Sequence, residues 1–461
     1  MDNNEKLTKA MSPAAVWALA VGSIIGFGCF MLPPEFLQKA GPLGFILGIV
    51  CGAAIMLIIG KNIGYMVEHF PVAGGQFTYA TALFGKSHGF VCGWMLILGY
   101  ISLIALNATA LALLAEYLFP TVFKQCYLYT IAGWNVYLPE VLLACAAIFV
   151  FAFFNLRGGK IAGGLQVAMV LMLIAGVVMI LIGTVLSPNT KLSNLTPLLA
   201  PGKSVFSCVF AILAMTPFLF VGFDTVPQSA EEFSFSPKRT FSLIMAAIFS
   251  GAAIYLTVTL CTGAVWPWQD MVAVQYTWAT GTAMNYAVGT VGVCFLALAI
   301  SMGILTGMNG FYMASSRLML AMAREEMLPR WFGHIDAKYK TPSHAILAAL
   351  IVSLIAPWFG RRVLTWVVDM CSCGTIIGYL YTSAAALKLS RAHFGEGKAK
   401  ISTVIFAAVG VVLSACILLL LVIPGMPGAM SKETWIAFAV WVVIGAVFYF
   451  TVVKKSLKET R

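Results

Sequence analysis

Long apolar runs alternate with short polar segments along the whole chain. A helix needs roughly 20 mostly apolar residues to cross about 30 Å of hydrocarbon. By that measure we predict twelve membrane-spanning segments, at residues 12–38, 42–67, 89–118, 138–156, 161–186, 204–232, 239–266, 286–322, 343–360, 364–390, 399–423 and 433–453. The runs are continuous and do not alternate residue by residue, so the pattern predicts an all-α polytopic membrane protein and not a barrel.

Composition and charge agree with this interpretation. Hydrophobic residues make up 61% of the 461 residues and charged residues 10%, whereas soluble proteins carry about 25% charged residues. The net charge of +11 could indicate a nucleic-acid partner, but the cations lie between the apolar runs. With the N-terminus placed in the cytoplasm, 21 Lys and Arg residues fall inside and 7 outside. This bias predicts that both termini are cytoplasmic and argues against nucleic-acid binding.

Glycines interrupt the first apolar run. Gly22, Gly26 and Gly28 fall within seven residues, and each lowers helix stability by about 1 kcal/mol relative to Ala. Unwound backbone in a membrane is tolerated only where it lines a protein cavity, and it would expose amide N–H groups that suit a carboxylate. Close packing of small residues against a neighbouring helix is the alternative explanation.

The sixth run carries Pro217, Gly222, Asp224 and Pro227. A buried Asp in a membrane is costly and indicates a functional site, and unwinding here would offer carbonyls to an ammonium group. Two interrupted segments five helices apart predict an inverted-repeat transporter. We therefore expect a zwitterionic ligand such as an amino acid. The predicted units are a tail at 1–11, repeats at 12–186 and 204–390, two further spans within 399–453 and a tail at 454–461.

Four segments of the chain resemble the amino acid–polyamine–organocation (APC) superfamily, which has a leucine-transporter-like fold. They occur in the expected order, and the likeness covers about residues 12–390. The segments are residues 22–30 (GSIIGFGCF), similar to the helix-1 pattern GSxIGxGIF; residues 70–79 (FPVAGGQFTY); residues 222–224 (GFD) with 230–232 (AEE) and 237–239 (PKR); and Asn309, Arg317, residues 321–325 (AMARE), 328–329 (LP) and 341–342 (TP).

The resemblance implies roles for the residues at both breaks. The substrate carboxylate would meet the amides of Ser23, Ile24, Ile25 and Gly26, and the substrate amino group would meet the carbonyls of Phe220, Val221 and Phe223. Asp224 stands where many members have Glu and where members that carry cationic amino acids often have Asp. It could bind the ammonium group, take part in proton coupling, or cap the helix that follows.

Selectivity in such folds comes from side chains on helices 3, 6, 8 and 10. Asn107 and Thr306 are the predicted substrate ligands among the polar residues there. Ser and Thr in membrane helices also bond to their own backbone or to neighbouring helices. The further candidates are Thr109, Ser301 and Ser372, together with Glu116 and Asp369, which could draw cationic substrates into an outer vestibule.

Coupling to an ion stays open. Some prokaryotic relatives place a Lys on helix 5 where sodium-coupled relatives bind sodium, but no Lys occurs here between Lys160 and Lys191. Lysine-based proton coupling is therefore not expected. Asp224 and Ser301 are the coupling candidates for a proton or for sodium, and uncoupled exchange is the third possibility. We expect no cofactor and no resident metal.

The sequence thus predicts a secondary active transporter or exchanger of amino acids that works by alternating access. The alternative is a carrier of amines, polyamines or cationic amino acids, including an antiporter with a decarboxylation product. Isolated carboxylates and the lack of a metal motif argue against an enzyme. Short loops favour a bacterial inner membrane. The predicted partners are a small-molecule substrate and membrane lipid, and a protein partner is neither indicated nor excluded.

Overall fold

The computed structural model describes residues 7–274, 278–426 and 429–454. Helices dominate these ranges, joined by short turns and 3₁₀ segments. The α-helices are α1 Pro13–Ile24, α2 Gly28–Met31, α3 Pro33–His69, α4 Gly75–Phe84, α5 Lys86–Leu118, α6 Pro120–Phe123, α7 Leu138–Leu156, α8 Gly159–Leu186, α9 Val205–Leu219, α10 Thr240–Val265, α11 Trp268–Val274, α12 Ala279–Val288, α13 Thr290–Arg324, α14 Ser343–Ser353, α15 Gly360–Gly395, α16 Ile401–Val422 and α17 Lys432–Phe448.

Short 3₁₀ and π segments complete the helical elements. The 3₁₀ helices are Leu192–Leu195, Phe223–Glu232, Pro237–Arg239, Arg330–Gly333 and Ala356–Phe359, and α17 continues as a π-helix over Tyr449–Val453. Within the described ranges, ten helices are long and apolar enough to cross a membrane, and the segments 13–24 and 343–359 are apolar but shorter. The chain is therefore a polytopic membrane protein.

Most apolar runs coincide with helices, and the differences occur at glycines and at polar ends. Gly41, with φ +67°, breaks α3 between the predicted first and second spans. Gly289, with φ +73°, separates α12 from α13, so the run predicted at 286–322 contains parts of two helices. The helix predicted at 364–390 extends over Gly360–Gly395, because hydropathy marks only the part of a helix that is apolar.

The chain is mostly helical, and one short hairpin departs from the predicted all-α pattern. Strands β1 Tyr127–Ile131 and β2 Trp134–Tyr137 form an antiparallel hairpin between α6 and α7. Aromatic and β-branched residues favour strands, and Ala132 and Gly133, both with positive φ, form the two-residue turn. Hydropathy gives no sign of the hairpin because its strands are too short to resemble a membrane span.

Helix α13 lies at the centre of the molecule. It packs against α5 on one side and α8 on the other, and nearly all of its C-terminal half is buried. Helix α1 packs on α8, α10, α13 and the 3₁₀ helix Phe223–Glu232. Helix α17 is peripheral, with Thr434 and Gly445 as its buried residues. The first broken helix is thus enclosed by protein, as unwound backbone in a membrane requires.

The N-terminal segment is fixed to the end of the second broken helix. The N–H of Met11 donates to the carbonyl of Glu232 (2.9 Å), and the N–H of Ser234 donates to the carbonyl of Met11 (3.0 Å). The N–H of Leu7 donates to a carboxylate oxygen of Glu231 (3.0 Å). Next to this contact, the Ser12 side chain caps α1 by accepting from the N–H of Ala15. The two interrupted helices are therefore linked at their ends.

Candidate functional site

Both predicted interruptions are present. Helix α1 ends at Ile24, Ile25 has non-helical torsion angles (φ −91°, ψ 88°), and α2 begins at Gly28. Helix α9, which contains Pro217, ends at Leu219, and the helical path resumes in the 3₁₀ helix Phe223–Glu232. The breaks coincide with the Gly and Pro clusters because these residues are the weakest helix formers.

The two breaks are in direct contact. Gly222 has φ +129°, and a Cβ at this position would lie 2.4 Å from the backbone carbon of Ser23 and 2.7 Å from the nitrogen of Ile24. A side chain at position 222 is therefore excluded both by its torsion angle and by the neighbouring backbone. The backbone of the second break thus lies against the last turn of α1.

A small cavity of about 20 Å³ lies where the breaks meet, with room for about one water molecule. Residues of both breaks and of helices α5, α10 and α13 form its walls. The Oγ of Ser23 and the Oδ1 of Asn107 are buried and have no hydrogen-bond partner within the described residues. The lining residues are Ser23, Ile24, Gly26, Phe27, Gly28, Leu103, Leu106, Asn107, Phe218, Val221, Tyr255 and Phe311. These walls are largely apolar, and none of these residues carries a carboxylate.

Five predicted substrate ligands thus lie around one cavity: Ser23, Ile24, Gly26, Val221 and Asn107. The amides at the first break have internal partners in this conformation. The N–H of Ile25 donates to the carbonyl of Val21 (2.9 Å), and the N–H of Gly26 donates to that of Ile24 (3.2 Å). A carboxylate would have to replace these bonds.

The aromatic residues of the second break lie behind the cavity wall. Phe220 and Phe223 are fully buried. The ring of Phe220 is 6.4 Å from that of Tyr255, and Phe223 stacks on Tyr379 at 5.3 Å. Their side chains therefore support the break through packing, while the predicted role concerns their backbone carbonyls.

Asp224 is buried in a polar cluster behind the second break. Its Oδ1 accepts from the N–H of Gly222 (2.9 Å) and its Oδ2 from the hydroxyl of Tyr100 (2.8 Å). The hydroxyl of Tyr379 is 3.5 Å from Oδ1, and the amide of Gln76 donates to the backbone carbonyl of Asp224 (3.3 Å). The carboxylate therefore holds the break to α5 and α15 and is not among the residues that line the cavity.

A second polar cluster connects α1, α8 and α13. The Nε2 of Gln166 donates to the carbonyls of Ala18 (3.3 Å) and Thr306 (3.2 Å), and its Oε1 accepts from Asn309 (2.8 Å). The hydroxyl of Thr306 lies 3.0 Å from the carbonyl of Gly22. A Cβ at Gly22 would lie 2.5 Å from the Gln166 amide nitrogen, so the three helices approach closely at this point. A donor on α8 therefore already occupies carbonyls of α1 and α13.

The remaining candidates lie away from the cavity. Thr109 bonds its hydroxyl to the carbonyl of Leu106 (2.9 Å), within its own helix. Ser301 is half-buried and Ser372 is buried. Glu116 pairs with Lys124 at 3.3 Å, and Asp369 accepts from the hydroxyl of Thr434 at 3.2 Å.

Four residues of these clusters were not among the predicted site residues, namely Gln76, Tyr100, Gln166 and Tyr379. Gln166 is the clearest case, because a single amide in the apolar run at 161–186 is a detectable signal. The Tyr residues gave no signal, since tyrosine in a membrane helix is also common at the interface.

A sequence model described as "Amino acid permease" matches residues 12–448. The chain belongs to this family. It is an amino acid permease of the APC superfamily, as the four motifs suggested, and the match extends beyond those motifs into α16 and α17.

Relatives of this permease cover nearly its whole length. It is 26% identical over 474 residues to a methylthioribose transporter of Bacillus subtilis (strain 168), covering 98% of this chain and 95% of the relative. It is 25% identical to a branched-chain amino acid permease of the same strain, covering 95% of this chain and 92% of the relative. It is also 25% identical to an arginine/ornithine antiporter of Latilactobacillus sakei, covering 96% of this chain and 97% of the relative.

Proposed function

We propose that this permease is a secondary transporter or exchanger that binds one amino acid where the two breaks meet. The contact between Gly222 and residues 23–24, with the cavity beside it, is the observation that carries the proposal. Ser23 Oγ and Asn107 Oδ1 supply unpaired polar atoms there, and unpaired buried polar groups are costly until a ligand satisfies them. The substrate carboxylate binds at the first break and the amino group at the carbonyls of Phe220, Val221 and Phe223.

The proposed architecture is twelve spans with a five-plus-five inverted repeat and two extra helices. Interrupted helices at the first position of each half support this arrangement. The excess of Lys and Arg on one side supports cytoplasmic termini in a bacterial plasma membrane. We propose alternating access, because a cavity with room for about one water must expand before it admits an amino acid.

An uncharged, apolar substrate fits the walls better than a cationic one. Leu103, Leu106, Phe218 and Phe311 line the cavity, and the carboxylate of Asp224 is bonded elsewhere. A cationic side chain would lack a counter-ion in such a site. The branched-chain amino acid permease among the relatives is consistent with this choice.

We propose that sodium is not the coupling ion at the contact between α1 and α13. The amide nitrogen of Gln166 donates to the carbonyls of Ala18 and Thr306, and the hydroxyl of Thr306 lies 3.0 Å from the carbonyl of Gly22 on α1. A cation at this contact would compete with these donors for the same carbonyl oxygens. Exchange of substrates, or proton coupling through Asp224, remains compatible with this arrangement.

A carrier of cationic amino acids or amines is the second candidate. The arginine/ornithine antiporter among the relatives supports it, as does the buried carboxylate of Asp224, provided that the tyrosine cluster rearranges around the substrate. An amine without a carboxylate would leave the first break without its anionic ligand, which disfavours this candidate.

Transport by the purified protein in liposomes tests the proposal. The vesicles would receive a mixture of apolar and cationic amino acids, their amines and methylthioribose, read by mass spectrometry, with and without proton or sodium gradients. Preloaded vesicles test exchange. Uptake of apolar amino acids without a sodium requirement is expected. Uptake of amines alone would refute the assignment of the first break, and a strict sodium requirement would refute the role given to Gln166.

A further inference from the structure

A groove of about 290 Å³ lies on the outer surface of the protein, between the start of α5 and the end of α17. It is more than ten times larger than the cavity at the breaks. Val91 and Phe90 form one wall, and Val442, Ala446 and Phe450 form the other. The helices that form it are membrane spans by length and hydropathy, so the groove opens towards lipid.

Two stacked indoles form the floor of the groove. The indole of Trp94 stacks on Trp441 at 4.6 Å and donates to the Trp441 carbonyl (3.2 Å). Gly445 allows this close approach, since a Cβ there would lie 2.4 Å from the Trp94 nitrogen. The hydroxyls of Tyr449 and Ser87 are 2.7 Å apart and close one end. Tyr449 begins the π-helix, a feature that is frequent at functional sites.

Two lysines lie next to the closed end of the groove. Lys454 lies over the ring of Phe450 at 5.2 Å, and Lys86 directly precedes Ser87. The sequence continues with Lys455, Lys458 and Arg461, against the single acid Glu459. Basic clusters next to a membrane helix attract anionic lipid head groups. A second copy of this chain would bring the same cations together, so charge favours a lipid.

We propose that this groove, which we call the α5–α17 groove, binds one anionic phospholipid. An acyl chain lies between Val91, Val442 and Ala446, and the phosphate group lies beside Lys454. The ligand class is a glycerophospholipid with a net negative head group. The proposal does not depend on the transport substrate.

Native mass spectrometry of the whole protein tests this, with dioleoyl phosphatidylglycerol and dioleoyl phosphatidylcholine as probes. We expect one phosphatidylglycerol adduct to persist after detergent removal, with weaker retention of phosphatidylcholine. Lys454→Gln should lower phosphatidylglycerol affinity about fivefold, which is the effect of one cation at an anionic surface. Equal retention of both lipids would overturn the proposal.

Filling the groove provides the matched comparison. Val442→Trp with Ala446→Trp places two indoles in the groove, whereas Val443→Trp with Val447→Trp places them on positions of the same helix that do not line it. The first variant should lose the adduct and the second should keep it. An adduct that persists in the first variant would contradict the proposal. If the wild-type protein were a dimer and only the first variant abolished the dimer, the groove would be assigned to a second copy of the chain. That result would also overturn the lipid proposal.

Discussion

Arg317 and Glu232 form a buried two-point ion pair. The Nε of Arg317 is 2.7 Å from Oε1 and its Nη2 is 3.2 Å from Oε2, and 1% and 3% of the two side chains are exposed. The pair joins α13 to the end of the 3₁₀ helix that follows the second break. Both residues belong to motifs of the superfamily resemblance, and the structure explains why the chain needs them together.

Removing one partner of this pair should be severely destabilising. Glu232→Gln leaves a buried guanidinium without a counter-ion, which costs about 3–5 kcal/mol of folding free energy. We expect little folded protein after detergent extraction, measured by size-exclusion chromatography and thermal unfolding. Arg330→Gln is the control, because its side chain is 91% exposed and its pair with Glu326 contributes less than about 1 kcal/mol. Similar stability of the two variants would contradict the importance of burial here.

Gly222→Ala should abolish transport. Alanine at position 222 would have to adopt φ +129°, which L-residues rarely do. Its methyl group would also lie 2.4 Å from the backbone carbonyl carbon of Ser23. The torsion alone costs about 1–3 kcal/mol, and the clash separates the two breaks. The measurement is amino acid uptake in liposomes with thermal unfolding alongside.

Gly202→Ala is the control for a positive-φ glycine that has no close neighbour. Gly202 also has positive φ (+73°), but a Cβ there would have no neighbour within 4 Å. Its variant should transport normally with a small loss of stability. If Gly202→Ala were as damaging as Gly222→Ala, contact between the breaks would not be the cause.

Asp224→Asn should impair transport while the protein still folds and inserts. The amide keeps one acceptor but presents an N–H₂ group to either Gly222 or Tyr100. Loss of one charge-assisted hydrogen bond corresponds to roughly a 10- to 100-fold lower rate. Asp270→Asn, at an exposed site in α11, is the control. Wild-type uptake by Asp224→Asn would show that the carboxylate charge is not needed.

Gln166→Glu should make transport depend on pH. An ionised carboxylate at position 166 can only accept hydrogen bonds, so it would repel the carbonyl oxygens of Ala18 and Thr306. The protonated acid carries one O–H and can donate to one of these carbonyls. We therefore expect uptake by this variant to rise as the pH falls, relative to wild type at each pH. Gln125→Glu, at an exposed site, should show no such change. A flat pH profile would show that α8 does not need a donor at this point.

Asn107→Leu should raise KM for the amino acid with little effect on folding. The variant removes the unpaired Oδ1 at the cavity and a local bond to Leu103. A lost hydrogen bond to the ligand corresponds to roughly a tenfold change in affinity. Thr109→Val is the matched control on α5, because its hydroxyl bonds only to the backbone one turn away. A KM unchanged by Asn107→Leu would remove this side chain from the binding site.

The sequence predicted what depends on local preference, namely the positions of helices and the interruptions at residues 22–28 and 217–227. These follow from hydropathy and from the helix propensities of Gly and Pro. Partners of polar groups on distant helices were not predictable. Asp224 and Tyr100 are 124 residues apart, and Gln166 and Thr306 are 140 apart. A single sequence does not show which helices pack together. The partner of the Asp224 carboxylate, Tyr100, is therefore known only from the structure.

The hydrogen bonds between Met11 and residues 232–234 also constrain the order in which the chain folds during its synthesis. Met11 and Ser234 are 223 positions apart, so the N-terminal anchor forms only after about half of the polypeptide has left the ribosome. Until then α1, which is short for a membrane span, has neither its anchor nor the neighbours α10 and α13. The first broken helix must therefore wait in the bilayer, or in the insertion machinery, for its partners to be synthesised.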